Sequence, residues 1–116
     1  MKKYQKVLAM AYPSWSNYYH AIIKRQARYV FSCGKFDFLL QKEQCGATKY
    51  FTVIELQTGT MVCKNFNSAN EAKEYAKNRI LEKVDVLESS VNRVLSGRLP
   101  LNGRVRRSIK KRVYIG

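Results

Sequence analysis

The sequence has little of what a metalloprotein, a disulfide scaffold or a membrane protein needs. Histidine occurs once, at His20, and the three cysteines, Cys33, Cys45 and Cys63, form no Cys-x-x-Cys pair. A structural zinc site takes about four Cys or His ligands in close pairs, so no metal is expected. An odd number of widely spaced cysteines reads instead as reduced thiols acting as small hydrophobes in a cytoplasmic protein. No apolar run approaches the roughly 18 residues of a membrane-spanning helix, and no signal-peptide core follows Lys3 and Lys6. There is no glycine-rich phosphate loop and no Ser–His–Asp pattern, so neither a cofactor nor catalysis is expected.

Acidic residues are missing from both ends. Residues 1–36 hold seven basic side chains and no acid, residues 37–88 hold seven basic and eight acidic, and residues 89–116 hold eight basic and no acid. The net charge of +14 is therefore carried by two flanks around a near-neutral middle. Segregated positive charge makes a field that attracts a polyanion, of which nucleic acid is the commonest. With 46% apolar residues in a chain of 116, one domain with a real core is expected.

Residues 4–12 read as a short strand or extended arm that Pro13 ends. Ser14 is placed to cap a helix over roughly 15–28, with Trp15, Tyr18 or Tyr19, Ile22, Gln26 and Tyr29 on an aromatic face. Asn17, His20, Lys24, Arg25 and Arg28 form its basic side. The β-like run Tyr29-Val30-Phe31 competes with the end of that helix. Three strands then follow, over 36–41, 50–56 and 61–66, with Gln44–Ala47 as a loop and Gln57–Thr60 as a tight connection. Ser68 and Glu71 form a capping box for a helical pattern that runs from Ala69 to Leu95, with Gly97 where a helix stop belongs. A helix of that length is about 40 Å long at 1.5 Å per residue, so it either breaks near Asp85 or projects from the domain. Arg104, Arg106, Arg107, Lys110, Lys111 and Arg112 place six basic residues in nine. That stretch reads as a short basic helix or an arm that orders on binding.

The expected fold is α+β: a three-stranded antiparallel sheet packed by two helices, one of them long, with basic terminal arms. Residues 1–98 would form the domain, and 99–116 the basic arm or short helix. Gly46 before the second strand, Phe51-Thr52-Val53 within it, Gly59 in the next turn and Ser68-Ala69-Asn70-Glu71-Ala72-Lys73 at the last helix resemble the double-stranded RNA-binding domain over roughly 15–84. The resemblance implies that the start of the last helix grips phosphates across the major groove. Of the basic positions involved only Lys73 carries over. Ala69 and Asn70 stand where that family has lysines, and Lys64, Asn65 and Phe66 stand where it has glycines.

The candidate nucleic-acid contacts are Lys24, Arg25 and Arg28 in the first basic stripe, Lys73, and the arm residues Arg104, Arg106, Arg107, Lys110, Lys111 and Arg112. Trp15, Tyr18 and Tyr19 are candidates for stacking on unpaired bases, while Phe31, Phe36 and Phe38 read as core. The strands are apolar on both faces, with Tyr50, Ile54 and Leu56 on one and Phe51 and Val53 on the other. The face not covered by helices then needs the N-terminal segment, a second subunit or a target protein. Asp37, Glu43 and Glu55 read as a charged sheet edge rather than a magnesium site.

The leading expectation is a cytoplasmic protein that binds nucleic acid without sequence specificity, favours structured RNA and has no membrane partner. One alternative is a phage or mobile-element inhibitor, of the anti-CRISPR kind, that binds a nucleic-acid-processing enzyme or ribonucleoprotein. Others are a structural ribonucleoprotein component and a metal-free RNA-cleaving toxin with Arg112 and Tyr114 as its candidate groups.

Overall fold

The computed structural model describes residues 5–10, 22–96 and 109–116, with the backbone alone at 5–10, 22–26, 64, 93 and 94. Five strands precede two helices: β1 Gln5–Met10, β2 Ile22–Cys33, β3 Phe36–Cys45, β4 Thr48–Glu55, β5 Met61–Phe66, α1 Ala69–Glu82 and α2 Val84–Leu95. The strands form one antiparallel meander in the order β1-β2-β3-β4-β5. The α+β class is as expected, but the sheet has five strands rather than three.

The helix expected over 15–28 is corrected at its described part, since residues 22–28 belong to β2. Ile22, Ile23 and Val30 are β-branched and favour a pleated strand. β2 also pairs along one edge with β1, from Gln5 opposite Ala27 to Met10 opposite Ile22, and along the other with β3. Two ladders of backbone hydrogen bonds outweigh a helical spacing of aromatic residues, because isolated helical pattern is only a weak local preference.

Two of the chain's few glycines set the hairpins. Gly34-Lys35 joins β2 to β3 and Gly46-Ala47 joins β3 to β4, each as a two-residue turn. The first position of each turn has positive φ, +58° at Gly34 and +62° at Gly46. That conformation suits glycine and strains most other residues. A Cβ at either position would meet nothing within 4 Å, so backbone conformation rather than space selects glycine there.

The helical pattern over 69–95 breaks at Lys83, two residues before Asp85. The Ser68 hydroxyl accepts from the Glu71 amide at 3.4 Å at the start of α1. Lys83 leaves helical geometry with φ −130° and ψ 47°, and its amide donates to the Arg79 carbonyl. The break lets both short helices turn their apolar sides onto one sheet face. Ala72, Ala76 and Ile80 of α1 and Leu87 and Val91 of α2 pack on Phe31, Phe36, Phe38, Leu40, Val53 and Cys63. The two alanines allow a close approach of helix to sheet. Burial pushes the Cys63 thiol up from its ordinary pKa, against a smaller lowering by the Val53 backbone, which suits a packed thiol rather than a reactive one.

The second face carries Ala27, Leu39, Ile54 and Leu56, with Tyr29 and Ile109 packed against them. Leu39, Ile54 and Leu56 are at most 1% exposed within the single chain. This face is thus not an open apolar surface at those positions: of the expected covers, the chain itself supplies one there.

Candidate nucleic-acid interface

The helical layer is electrically balanced. Residues 69–95 contain five basic side chains (Lys73, Lys77, Arg79, Lys83, Arg93) and five acidic ones (Glu71, Glu74, Glu82, Asp85, Glu88). The remainder of the chain holds 17 basic and three acidic residues, so the whole excess of +14 lies outside the helices. Two of those three acids are withdrawn from the surface. Glu55 is 1% exposed and accepts from the Gln57 amide at 2.6 Å, the Thr58 amide at 3.1 Å and the Thr58 hydroxyl at 3.0 Å, closing the turn before β5. Asp37 is 4% exposed and holds Arg112. The third, Glu43, accepts from the Gln41 side chain at 2.7 Å.

Strand register gathers cations on one part of the sheet. Arg28 lies opposite Leu40, Lys42 opposite Phe51, and Lys49 two residues before Phe51 in β4. Leu40 and Phe51 belong with the helix-side core, so Arg28, Lys42 and Lys49 share that face. Diagonal neighbours on adjacent strands sit about 7–8 Å apart, which puts the three cations in a step across β2, β3 and β4. The Lys24 position of β2 falls on the same face and the Arg25 position on the opposite one, so the two are not a single stripe. We call this region, next to the β3–β4 turn, the basic shelf. α1 starts three residues after Phe66, which pairs with Phe51, so Lys73 lies at the same end of the sheet, flanked by Glu71 and Glu74.

Residues 109–116 form an extended strap at the other end of β2, in place of a short helix. Ile109 packs on the second face and Ile115 enters the helix-side core, so the strap passes from one face of the sheet to the other. The Ser32 amide donates to the Val113 carbonyl at 2.8 Å and the Ile115 amide to the Ser32 carbonyl at 2.9 Å. These bonds form a parallel bridge between Ser32 and Tyr114. The Val113 amide donates to the Tyr29 hydroxyl at 3.0 Å, and that hydroxyl is 2.9 Å from the Ser32 hydroxyl. Arg112 Nε donates to Asp37 Oδ1 at 3.0 Å, and the Ser32 hydroxyl donates to the same oxygen. The hydrogen bond that Arg112 donates to Asp37, and then the charge of Asp37, push the Arg112 pKa up from its ordinary value. Lys110 and Lys111 are exposed between the two anchors.

The structure thus separates the expected contacts into groups. Arg28 is on the shelf, Lys24 and Arg25 occupy backbone positions on opposite faces of β2, Lys73 is in the balanced helical layer, and Lys110, Lys111 and Arg112 are on the strap. Arg104, Arg106, Arg107, Trp15, Tyr18 and Tyr19 lie outside the described residues, as do Asn17 and His20. Lys42 and Lys49 were not expected. Their signal was alternation within strands whose pairing fixes which residues share a face. Asp37, Glu43 and Glu55 do not converge, and among the described residues no group of three or more His, Cys, Asp or Glu is placed to hold a metal. Among the described residues no helix is long and apolar enough to cross a membrane. No known family matches the chain, and no curated protein or solved structure matches it significantly.

Proposed function

We propose that the protein binds nucleic acid without sequence specificity, through the basic shelf and the strap lysines, and that structured RNA is the favoured form. The observation that carries this reading is the partition of charge. The helices are neutral, and the sheet and terminal segments hold the entire +14 with two of their three acids buried. Cations on a rigid sheet contact phosphates and release condensed counterions. The preference for RNA rests on a second point. Sequence-specific reading of B-DNA ordinarily takes a helix or two-stranded ribbon in the major groove, and the helices here are the balanced layer, which agrees with recognition through backbone and shape rather than base edges. Duplex RNA is recognised by shape, phosphates and 2′-hydroxyls, which suits fixed cations on a sheet.

The test is fluorescence anisotropy with a short RNA hairpin, a DNA duplex and single-stranded DNA over a salt series. The hairpin is expected to bind tightest. Arg28, Lys42, Lys49, Lys110 and Lys111 together predict a log–log salt slope of about −4, at roughly −0.7 to −0.9 per contact. Weak binding to all three probes, or a slope near zero, contradicts the proposal. That result would direct attention to a stoichiometric complex with a nucleic-acid-processing enzyme.

A further inference from the structure

Arg112 sits within the most basic stretch of the chain, yet its nearest charged partner is a buried carboxylate. Asp37 is 4% exposed and binds Arg112 Nε at 3.0 Å, while Ser32, Tyr29 and Val113 join the same group of hydrogen bonds. A guanidinium committed to a carboxylate in this way has little charge left to offer a phosphate. We infer that Arg112 is a positioning residue, and that the Asp37–Arg112 pair pins the strap so that Lys110 and Lys111 are presented to nucleic acid in a fixed place. The inference rests on the proposed nucleic-acid binding for its second half, and on the geometry of the strap alone for its first.

The physical gain is preorganisation. A free basic arm must lose conformational freedom when it binds, and a pinned one has lost it already. The strap is held at three levels: Ile109 and Ile115 in the two cores, the bridge from Ser32 to Val113 and Ile115, and the ion pair. Ile109 and the ion pair bracket the two lysines, one residue before Lys110 and one residue after Lys111.

This assignment predicts a change of unusual sign. Asp37→Asn raises the net charge by one, which on simple electrostatics strengthens binding to a polyanion. If Asp37 pins the strap, the same change weakens binding several-fold, because the lysines must be ordered anew. Glu43→Gln makes the same change of charge away from the strap and serves as the control, with affinity unchanged or slightly higher. Arg112→Gln separates the roles further. A lost phosphate contact lowers the salt slope by about one, whereas a lost anchor lowers affinity and leaves the slope in place.

The experiment measures RNA-hairpin affinity and salt slope for the full chain and these three variants. Amide hydrogen exchange at Ser32 and Ile115 is followed on the same samples without RNA. The expected results are weaker binding by Asp37→Asn but not by Glu43→Gln, an unchanged slope in Arg112→Gln, and about tenfold or more faster exchange at both amides in the two strap variants. The Arg112 side chain is about one-third exposed, at 34%, so Arg112→Gln leaves no core cavity and, with its folding checked by circular dichroism, stands as the readout if Asp37→Asn does not fold. Tighter binding by Asp37→Asn, or a slope that falls by one in Arg112→Gln, overturns the positioning role. Unchanged exchange at Ser32 and Ile115 overturns the anchor itself. A wild-type chain that binds no hairpin removes the nucleic-acid half of the inference together with the proposed function, and the exchange data still decide the anchor.

Discussion

Phe38→Ala is expected to remove about 3–5 kcal/mol of folding stability. Phe38 is fully buried on β3, in the centre of the helix-side core, with its ring centroid 5.7 Å from that of Phe31. Its strand is the middle one of five, so the cavity cannot be closed by moving an edge. Domains of this size have a total stability of about 5–15 kcal/mol, so the variant stands near the limit of folding. In urea the midpoint should fall with the slope of the transition unchanged, and the melting temperature should drop by roughly 15–30 °C. Phe38→Leu fills most of the space and should cost much less. A loss below about 1 kcal/mol for Phe38→Ala would mean that the helices do not pack on this face as described.

The second large effect concerns binding. Lys42→Gln with Lys49→Gln removes two shelf cations and leaves the helices and strap untouched. Each phosphate contact contributes roughly 0.7–0.9 to the salt slope, which at 0.1 M salt amounts to about five- to eightfold in affinity. The double variant is therefore expected to bind an RNA hairpin about 25–60-fold more weakly, with the slope reduced by about 1.4–1.8. Lys77→Gln with Lys83→Gln makes the same change of charge in the balanced helical layer and should cost less than about threefold, since general field effects are screened beyond about 10 Å at this salt. Equal losses in the two double variants would show that only net charge matters and that the shelf is not the contact surface.

The contrast between those variants rests on information that the sequence carries unevenly. The strands β3, β4 and β5 were legible because their signals are local, whereas a break near Asp85 was one of two readings of the long helical pattern. Alternating apolar residues, Gly59 in a turn and the Ser68 cap all act within a few residues. β2 was missed over Ile22–Arg28 because aromatic and basic spacing suggested a helix. Its strand character depends on pairing with β1 on one side and β3 on the other. One local cue was present. Gly34-Lys35 separates Tyr29-Val30-Phe31 from Phe36-Asp37-Phe38 by two residues, a hairpin signal of the kind read elsewhere in the chain.

The candidate site was legible as charge and not as place. Counting showed that the flanks are basic, but Arg112 counts the same whether it faces water or Asp37. Its role is set by a partner 75 residues away, and no local pattern in the sequence predicts that distance. Lys42 and Lys49 lie in the near-neutral middle, where a tally by segment hides them. Only the register of β3 with β4, and the assignment of the five helical acids to one layer, bring them into a net-positive surface.

The most direct test of that surface is lysine footprinting, in which an amine-reactive reagent labels the wild-type chain with and without a saturating RNA hairpin. Mass spectrometry then reads protection at each lysine. The account predicts protection of Lys42, Lys49, Lys110 and Lys111, with Lys77 and Lys83 of the helical layer labelled equally in both samples. Protection centred on Lys77 and Lys83, or no difference at the shelf and strap lysines, would contradict it.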